Sequence, residues 1–377
     1  MVSRRAIMRG AAYTAAAAAL LLGTGLVLGA CVFSAPAYRG PTSDHFDGTT
    51  FHNQVPAAKD RNGSFFQWVL TREKGPWPEW IDAPAGPPPP QRVEGDRLRV
   101  TFINHATTLL QMDGLNVLTD PIWSYRASPL SFAGPARHRP PGIRFEDLPP
   151  IDLVVISHNH YDHLDLPTLR RLAEEHSPEI LVPLGNAALL NSEDIAGGRE
   201  LDWWQSHRVS DAVEVSCAPS RHFSGRGITD HGKTLWCAWV IEGSGGAVYF
   251  AGDTGYGPHF AQAAERHGPF RFALLPIGAY RPRWFMGPVH ISPAEAVQAH
   301  MELRASTSMG IHFGTFSLAD DGYQEPLDDL SRALGEHDPV PRFWTLKEGE
   351  GRYVPPARVD APVPRVTDDS DASAVAK

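Results

Sequence analysis

The sequence predicts an α/β domain built from two packed mixed β-sheets with helices outside. Short apolar, β-branched runs alternate with helical segments in two successive series, and residues able to ligate a metal recur directly after several of the runs. Between a proline-rich N-terminal arm and a tail poor in large apolar side chains lie about 260 residues, enough for one two-layered domain with its own core.

The chain starts with Arg4, Arg5 and Arg9 ahead of an Ala/Leu/Gly-rich stretch from Gly10 to Val27, closed by Leu28-Gly29-Ala30-Cys31. Residues 1–30 read as a signal peptide. Small residues before a cysteine resemble the bacterial lipobox, in which Cys31 is lipidated and becomes the mature N-terminus. A plain cleaved signal and an uncleaved membrane helix are the alternatives, and the apolar segment is only marginally long enough to span. Ser3-Arg4-Arg5 also resembles a twin-arginine signal, from which Ile7 and Met8 depart. The expectation is a lipoprotein of the bacterial cell envelope, held at the membrane and facing the periplasm or the exterior.

The formal net charge is −9, and removing residues 1–30 takes away three arginines and no acids, leaving −12. Nucleic acid is excluded as a partner, because binding it rests on a basic surface. Beyond Cys31 the cysteines are Cys217 and Cys237, both in apolar, strand-like surroundings that fit two buried thiols or one disulfide.

Residues 31–92 form an arm that is polar, aromatic and rich in proline, ending in Ala83-Pro84-Ala85-Gly86 and four prolines. It shows no regular periodicity, and Phe65, Phe66, Trp68, Trp77 and Trp80 are its expected anchors on the domain. The alternative, a disordered tether, fits poorly with so many aromatics. Residues 355–377, rich in Pro, Asp, Ser and Ala, are expected to be disordered.

Within the domain, residues 93–354, strands are expected at Leu98–Ile103, Thr108–Met112 and Asn116–Thr119, with a hairpin turn centred on Asp113-Gly114. A strand Asp152–Ser157 follows, then a helix opened by Pro167 and running to Glu175, and a strand Ile180–Pro183. The second series has strands Ala212–Ala218, Thr234–Ile241 and Ala247–Ala251, a helix Phe260–His267, a strand Phe272–Pro276, a helix Pro293–Glu302 and a strand Ser308–His312.

The stretch Ile156 to Asp165 packs three histidines and two carboxylates behind a buried strand. His158 and His160 can turn their imidazoles toward one cation, while Asp162 and His163 can reach a second. Mixed imidazole and carboxylate ligation suits zinc, and also iron or manganese. Further ligand-type residues follow strands in Ser220-Arg221-His222-Phe223, Gly252-Asp253-Thr254-Gly255 and His312-Phe313-Gly314-Thr315.

In this order, Asp120, His158-x-His160-x-Asp162-His163, His222, Asp253 and His312 resemble the motif set of the metallo-β-lactamase superfamily, across about residues 97 to 346. The resemblance implies the αββα sandwich with a dinuclear metal site, two Zn2+, along the edge of the sheets. It implies His158, His160 and His222 on one metal, Asp162, His163 and His312 on the other, Asp253 as the bridge, and Asp120 as support for the ligand loop.

A closer resemblance is to the N-acylphosphatidylethanolamine-hydrolysing phospholipase D group and its bacterial relatives, which share features with ascorbate-6-phosphate lactonases. It is carried by Asn104-His105-Ala106-Thr107-Thr108-Leu109-Leu110-Gln111, Leu118-Thr119-Asp120-Pro121-Ile122-Trp123, Ala127-Ser128-Pro129, the stretch Pro276 to Met286, and Ile311-His312-Phe313-Gly314-Thr315-Phe316. The lipobox departs from the animal enzymes. The implied activity is hydrolysis of a phospholipid such as N-acylphosphatidylethanolamine to phosphatidic acid and the N-acylethanolamine.

Asp162 and Asp253 are the candidates to orient the attacking water, and His290 is the candidate donor to developing charge on the substrate. His105 is expected to support the ligands. Tyr280, Arg281, Arg283, Trp284, Phe285 and Met286 combine cations with apolar side chains and are candidates to hold a phosphate near acyl chains; packing against the arm is their bland alternative. Two other functions stay open: a lactonase or soluble phosphodiesterase with the same centre, and a non-catalytic envelope binding module. β-Lactamase activity is not expected, and a homodimer is left open.

Overall fold

The computed structural model describes residues 33–55 and 65–357. Cys31, the leader before it, and the tail from residue 358 lie outside the described residues, as does the side chain of Phe66. After α1 (Phe65–Leu70) in the arm, β1 (Leu98–Asn104), β2 (Thr107–Met112) and β3 (Leu115–Thr119) form an antiparallel meander. The β2–β3 turn is Asp113-Gly114, with φ of 48° and 76°, the left-handed pair that a tight two-residue hairpin favours. Next come β4 (Leu153–Val155), α2 (Leu166–Glu175), β5 (Glu179–Pro183), α3 (Ala187–Ser192) and β6 (Gly198–Leu201), and β3 to β6 run parallel.

The second series is β7 (Ser206–Arg208), β8 (Glu214–Ala218), β9 (Ala238–Gly243), β10 (Gly246–Phe250), α4 (His259–His267), β11 (Phe272–Pro276), α5 (Arg283–Met286), α6 (Pro293–Glu302), β12 (Ser308–Ile311), α7 (Glu325–Gly335) and β13 (Phe343–Trp344). β14 (Gly351–Val354) crosses back to pair with β1. The sheet orders are β14-β1-β2-β3-β4-β5-β6 and β13-β12-β11-β10-β9-β8-β7, both mixed, as the sequence predicts.

Period-two alternation divides the core. Phe102, Leu110, Leu153 and Val155 join Trp239, Ile241, Phe250 and Leu274 of the other sheet in one buried cluster. Their neighbours Ile103, Leu109, Val154 and Ile156 face the opposite way, onto Leu169 and Leu172 of α2. Because β4 is covered on both faces, its sequence is a continuous apolar run. The pairing directions bring the C-terminal ends of β1, β3 and β4 to one edge of their sheet, and those of β8, β10, β11 and β12 likewise to one edge of theirs.

Several expectations differ from the structure. β9 starts at Ala238 rather than Thr234, because Leu235 N–H bonds to Leu184 O (2.8 Å), Cys237 N–H to Ser157 O (2.9 Å) and Thr234 Oγ1 accepts from Asn159 (3.0 Å). These ties pin residues 234–237 to the neighbouring sheet instead of a ladder. The arm contains α1, whose Trp68 is buried, stacked on Phe285 with centroids 5.0 Å apart and donating to Asp320 Oδ2 (3.0 Å). Trp77 donates to Asp321 O (2.9 Å), but Phe65 and Trp80 are largely exposed and are not anchors of the same kind. Cys217 and Cys237 are both buried and free, which decides for two thiols. Among the described residues no helix is long and apolar enough to cross a membrane.

Candidate metal centre

The strand ends deliver the site. Loops leaving β4, β8, β10 and β12 carry His158 to His163, His222, Asp253 and His312, and the turn after β1 carries His105. Their backbone is held in uncommon conformations: φ is 47° at His105, 34° at Asp120 and 61° at His312, a kind of strain that surrounding packing must enforce. Gly252, at φ 57°, lets Asp253 turn inward; a Cβ there would lie 2.4 Å from the Ser157 Cβ.

Two groups of donor atoms converge. His158, His160, His222 and Asp253 form one, and His105, Asp162, His163 and His312 the other. His158 Nε2 lies 2.7 Å from His160 Nδ1, which is 3.2 Å from His222 Nε2. Asp253 Oδ2 sits between the groups, 3.9 Å from His158, 3.7 Å from His222 and 3.2 Å from His163, while its Oδ1 is 3.2 Å from His312 Nε2. Asp162 Oδ2 is 3.2 Å from His163 Nε2, 3.4 Å from His312 Nε2 and 2.9 Å from His105 Nε2.

Outer contacts aim these atoms inward. Asp120, fully buried, accepts from Ser157 N–H (2.7 Å), Ser157 Oγ–H (2.6 Å) and His163 Nδ1–H (2.6 Å). The Ser157 hydroxyl, committed as donor to Asp120, accepts from His158 Nδ1–H (2.9 Å). His222 Nδ1–H is given to Val289 O (2.9 Å). In His158 and His222 the outer nitrogen holds the proton, so Nε2 presents its lone pair to the centre, and in His163 the same kind of contact keeps Nδ1 protonated and aims Nε2 at the centre. Ser157 escaped the sequence reading; only its place between the buried strand and His158 hinted at it.

The electrostatics fit a cation. Burial pushes His160, His222 and His105 down to about 3 and His290 to about 4, so all four stay neutral at pH 7 and can donate lone pairs. Burial alone would raise Asp162 and Asp253, but the imidazoles around them, His163 foremost, hold both well below the carboxylate range. Burial opposes charge on His163 and His312 as well. The carboxylates, Asp253 first, outweigh it, raising His163 well above its ordinary value and His312 to about 9. His163 Nε2, His312 Nε2 and Asp253 Oδ1 are nevertheless buried without a hydrogen-bond partner. Such orphaned, converging atoms are what divalent ions satisfy, and the imidazole and carboxylate set suits them.

The structure brings the seven proposed ligands together, with Asp120 and His105 beside them. His290 also reaches the group, with Nδ1 3.9 Å from Asp253 Oδ2 and no hydrogen-bond partner. The 280–286 stretch is different. Tyr280 is buried and donates to Asp329 (2.6 Å), Arg281 pairs with Asp329 (2.9 Å) and Glu325 (3.3 Å), and Phe285 stacks on Trp68. Arg283 gives its guanidinium to Glu295 (2.7 Å) and to His290 O (2.7 Å). These side chains take part in packing and support, while Tyr280, Arg281, Arg283 and the 36% exposed Trp284 also line a cavity of about 780 Å³ with Lys74 and Ser292, so the packing reading and the phosphate-holding one both stand.

A family model described as a beta-lactamase superfamily domain matches residues 115–313. An uncharacterized protein of Mycobacterium tuberculosis is 41% identical over 344 residues, covering 87% of this chain and 91% of its own length. The N-acyl-phosphatidylethanolamine-hydrolyzing phospholipase D 1 of Caenorhabditis elegans is 40% identical over 267 residues, 67% of this chain and 75% of that protein. Among solved structures, a possible metal-dependent hydrolase from Veillonella parvula superposes with a TM-score of 0.55 at 15% identity, over 68% of this chain and 99% of the other.

Proposed function

The chain belongs to the metallo-β-lactamase superfamily of metal-dependent hydrolases, and we propose that within it the protein is a zinc-dependent, phospholipase D-type phosphodiesterase acting on N-acylphosphatidylethanolamine-like phospholipids. The observation that carries this reading is the extended identity with the nematode phospholipase, in a chain whose ligand set is complete and convergent.

Divalent cations held by His158, His160 and His222 on one side and by Asp162, His163 and His312 on the other, with Asp253 between, would polarise the phosphoryl oxygens and lower the pKa of water toward neutrality. Zinc suits these donors, and iron and manganese accept the same set. The chain's own residues then fix geometry. Asp162, steadied by His105, and Asp253 accept a hydrogen bond from the attacking water and set its line to phosphorus. Neutral His290 donates toward the oxygen on which charge develops. A water oxygen–phosphorus bond forms, the phosphorus–oxygen bond to the leaving group breaks, one proton of the water ends on the leaving oxygen, and the N-acylethanolamine and phosphatidic acid are the products.

A lipid on Cys31 would keep the enzyme at its substrate. Removal of the segment before Val32 is expected to spare turnover of a soluble diester and slow that of vesicle lipid; equal losses on both count against the anchor. The reading itself is tested by metal content and by hydrolysis of bis(p-nitrophenyl) phosphate and an N-acylphosphatidylethanolamine, for wild type and His160→Ala. Two metals per chain with metal-dependent release of an N-acylethanolamine is the expected result. Cleavage of the small diester alone refutes the lipid substrate, and an absence of metal and turnover refutes the enzyme.

A further inference from the structure

The ligand loop that leaves β8 is held by the arm. His312 N–H donates to His105 O (2.8 Å) and His163 N–H to His160 O (3.1 Å), in both cases between residues of the strand-end loops themselves. The His222 peptide instead meets Asn53, 169 residues earlier in the chain. Asn53 Nδ2–H donates to His222 O (2.8 Å), and His222 N–H donates to Asn53 Oδ1 (3.1 Å), so one carboxamide grips both polar backbone groups of one residue. Oδ1 also accepts from the indole N–H of the buried Trp236 (3.1 Å). Turning the amide over would set its NH2 against two N–H groups, so the donors and acceptors around it fix its orientation.

Both partners are firmly seated. The arm turns back at residues 43–52, where Ser43 N–H bonds to Phe46 O (3.0 Å) and His52 N–H to His45 O (2.8 Å), and Phe51 N–H donates across to Gly232 O (2.7 Å). Phe46 and Phe51, with ring centroids 4.5 Å apart, belong to the main core cluster and so fix the chain two residues before Asn53. On the other side, Arg221 N–H donates to Thr254 Oγ1 (3.0 Å) and Gly255 N–H to Arg221 O (2.7 Å), which zips the chain before His222 to the loop of Asp253. With its peptide tied to Asn53 and its Nδ1–H given to Val289 O (2.9 Å), the His222 imidazole is left with Nε2 toward His160 and Asp253. Removing the carboxamide strands the N–H and C=O of a buried residue, a cost the loop escapes only by turning, and turning moves the ring.

We propose that Asn53 is a positioning residue of the metal centre: its carboxamide fixes the His222 peptide so that Nε2 meets the cation, and docking of the arm around residues 43–53 is thereby coupled to metal binding. Coupling of this kind is reciprocal, so the metal holds the arm down by the same factor by which the docked arm raises metal affinity. It needs the metal centre but not the phospholipid, and it holds whichever bond the enzyme cleaves.

The test is a double-mutant cycle on the full chain, with zinc affinity read by competition against a chromophoric chelator. His222→Ala keeps the backbone that Asn53 grips but removes the imidazole, which separates action through His222 from general support. In the wild-type background Asn53→Ala is expected to lower zinc affinity about tenfold, the size usual for a lost outer contact, and in the His222→Ala background the further loss should stay under about twofold. Asn53→Asp, equal in size, keeps the acceptors but sets an oxygen against His222 O, and it should act in the same direction if Asn53→Ala fails to fold. Hydrogen exchange gives the reciprocal reading. Zinc should slow the Phe51 and His52 amides, bonded to Gly232 O and His45 O, more than the amides of the β1–β14 pair, and Asn53→Ala should remove that surplus. Equal affinity losses in both backgrounds, no loss in the wild-type background, or a surplus that survives Asn53→Ala overturns the proposal. A wild-type chain that takes up no zinc overturns the centre itself, and the clasp with it.

Discussion

Asp120→Asn tests whether the support beneath the ligands sets metal affinity. Asp120 accepts three hydrogen bonds, from Ser157 N–H, Ser157 Oγ–H and His163 Nδ1–H, all between 2.6 and 2.7 Å. An asparagine keeps one acceptor oxygen and places an NH2 where the other stood. The natural assignment leaves the oxygen at the Oδ1 position to Ser157 N–H and puts the NH2 at the Oδ2 position, which faces both Ser157 Oγ and His163 Nδ1. That imidazole must then accept at Nδ1 and carry its proton on Nε2, the atom that faces Asp162 and Asp253. Two charge-assisted hydrogen bonds to Oδ2, each worth about 1.5–3 kcal/mol, are lost, and the wrong tautomer faces the cation. Loss of such outer support typically costs about 10- to 100-fold in metal affinity, or about 1.4–2.7 kcal/mol. Chelator competition against a chromophoric zinc indicator reads this directly. An affinity within twofold of wild type, with the fold intact by circular dichroism, would refute the argument that Asp120 fixes the His163 tautomer.

Four further outcomes are expected. Burial alone would lower the His45 pKa, but hydrogen bonds to Asp202 and Asp44 outweigh it and raise it above the ordinary value. The stabilisation is therefore complete below the unfolded pKa near 6.5 and is lost as pH rises through the folded value. The protection factors of residues 45–52, which are corrected for the intrinsic base-catalysed exchange rate, should fall on the alkaline side, and His45→Gln should abolish that trend. Gly252→Ala forces a side chain into left-handed backbone against Ser157 and should cost about 1 kcal/mol or more of stability with a sharp fall in metal content, read by chemical denaturation and metal analysis. Trp68→Ala removes the stack on Phe285 and the bond to Asp320, and should destabilise by about 3–5 kcal/mol if the arm melts with the domain; unchanged denaturation together with rapid proteolysis near α1 would show instead that the arm detaches alone. Arg281→Ala should leave KM for a soluble diester unchanged, because its guanidinium already faces Asp329 and Glu325.

The parts legible in the sequence were those where chemistry and periodicity coincide. The apolar run Leu153–Ile156 needs cover on both faces, and α2 and the opposite sheet supply it. His158 to His163 announce themselves because few other reasons exist for so many imidazoles after a buried strand. Other parts were silent for physical reasons. β6, β7 and β13 are two to four residues long, below the length at which alternation can be read, and they exist because neighbouring strands offer an open edge. α1 has neither an acidic first turn nor a basic last one, and Trp68 holds it by tertiary contacts. The start of β9 was misjudged because hydrogen bonds across the two sheets outbid a favourable strand composition at residues 234–237.

The cationic stretch from Tyr280 to Met286 shows how a composition that suits a ligand can serve architecture as well. Arg281 is neutralised by Asp329 and Glu325, and Arg283 by Glu295, so neither brings an unspent charge to a phosphate. Arg283 acts at one remove: one nitrogen holds Glu295, which closes the capping box with Ser292 at the start of α6, and another holds the carbonyl of His290 just before it. Met286 O accepts hydrogen bonds from the N–H groups of both Val289 and His290, and Val289 O in turn accepts one from His222 Nδ1–H. One short helix thereby sets the positions of a metal-facing imidazole and of His290. On the phosphodiesterase reading, the charge of the substrate's phosphate is then met chiefly by the centre itself.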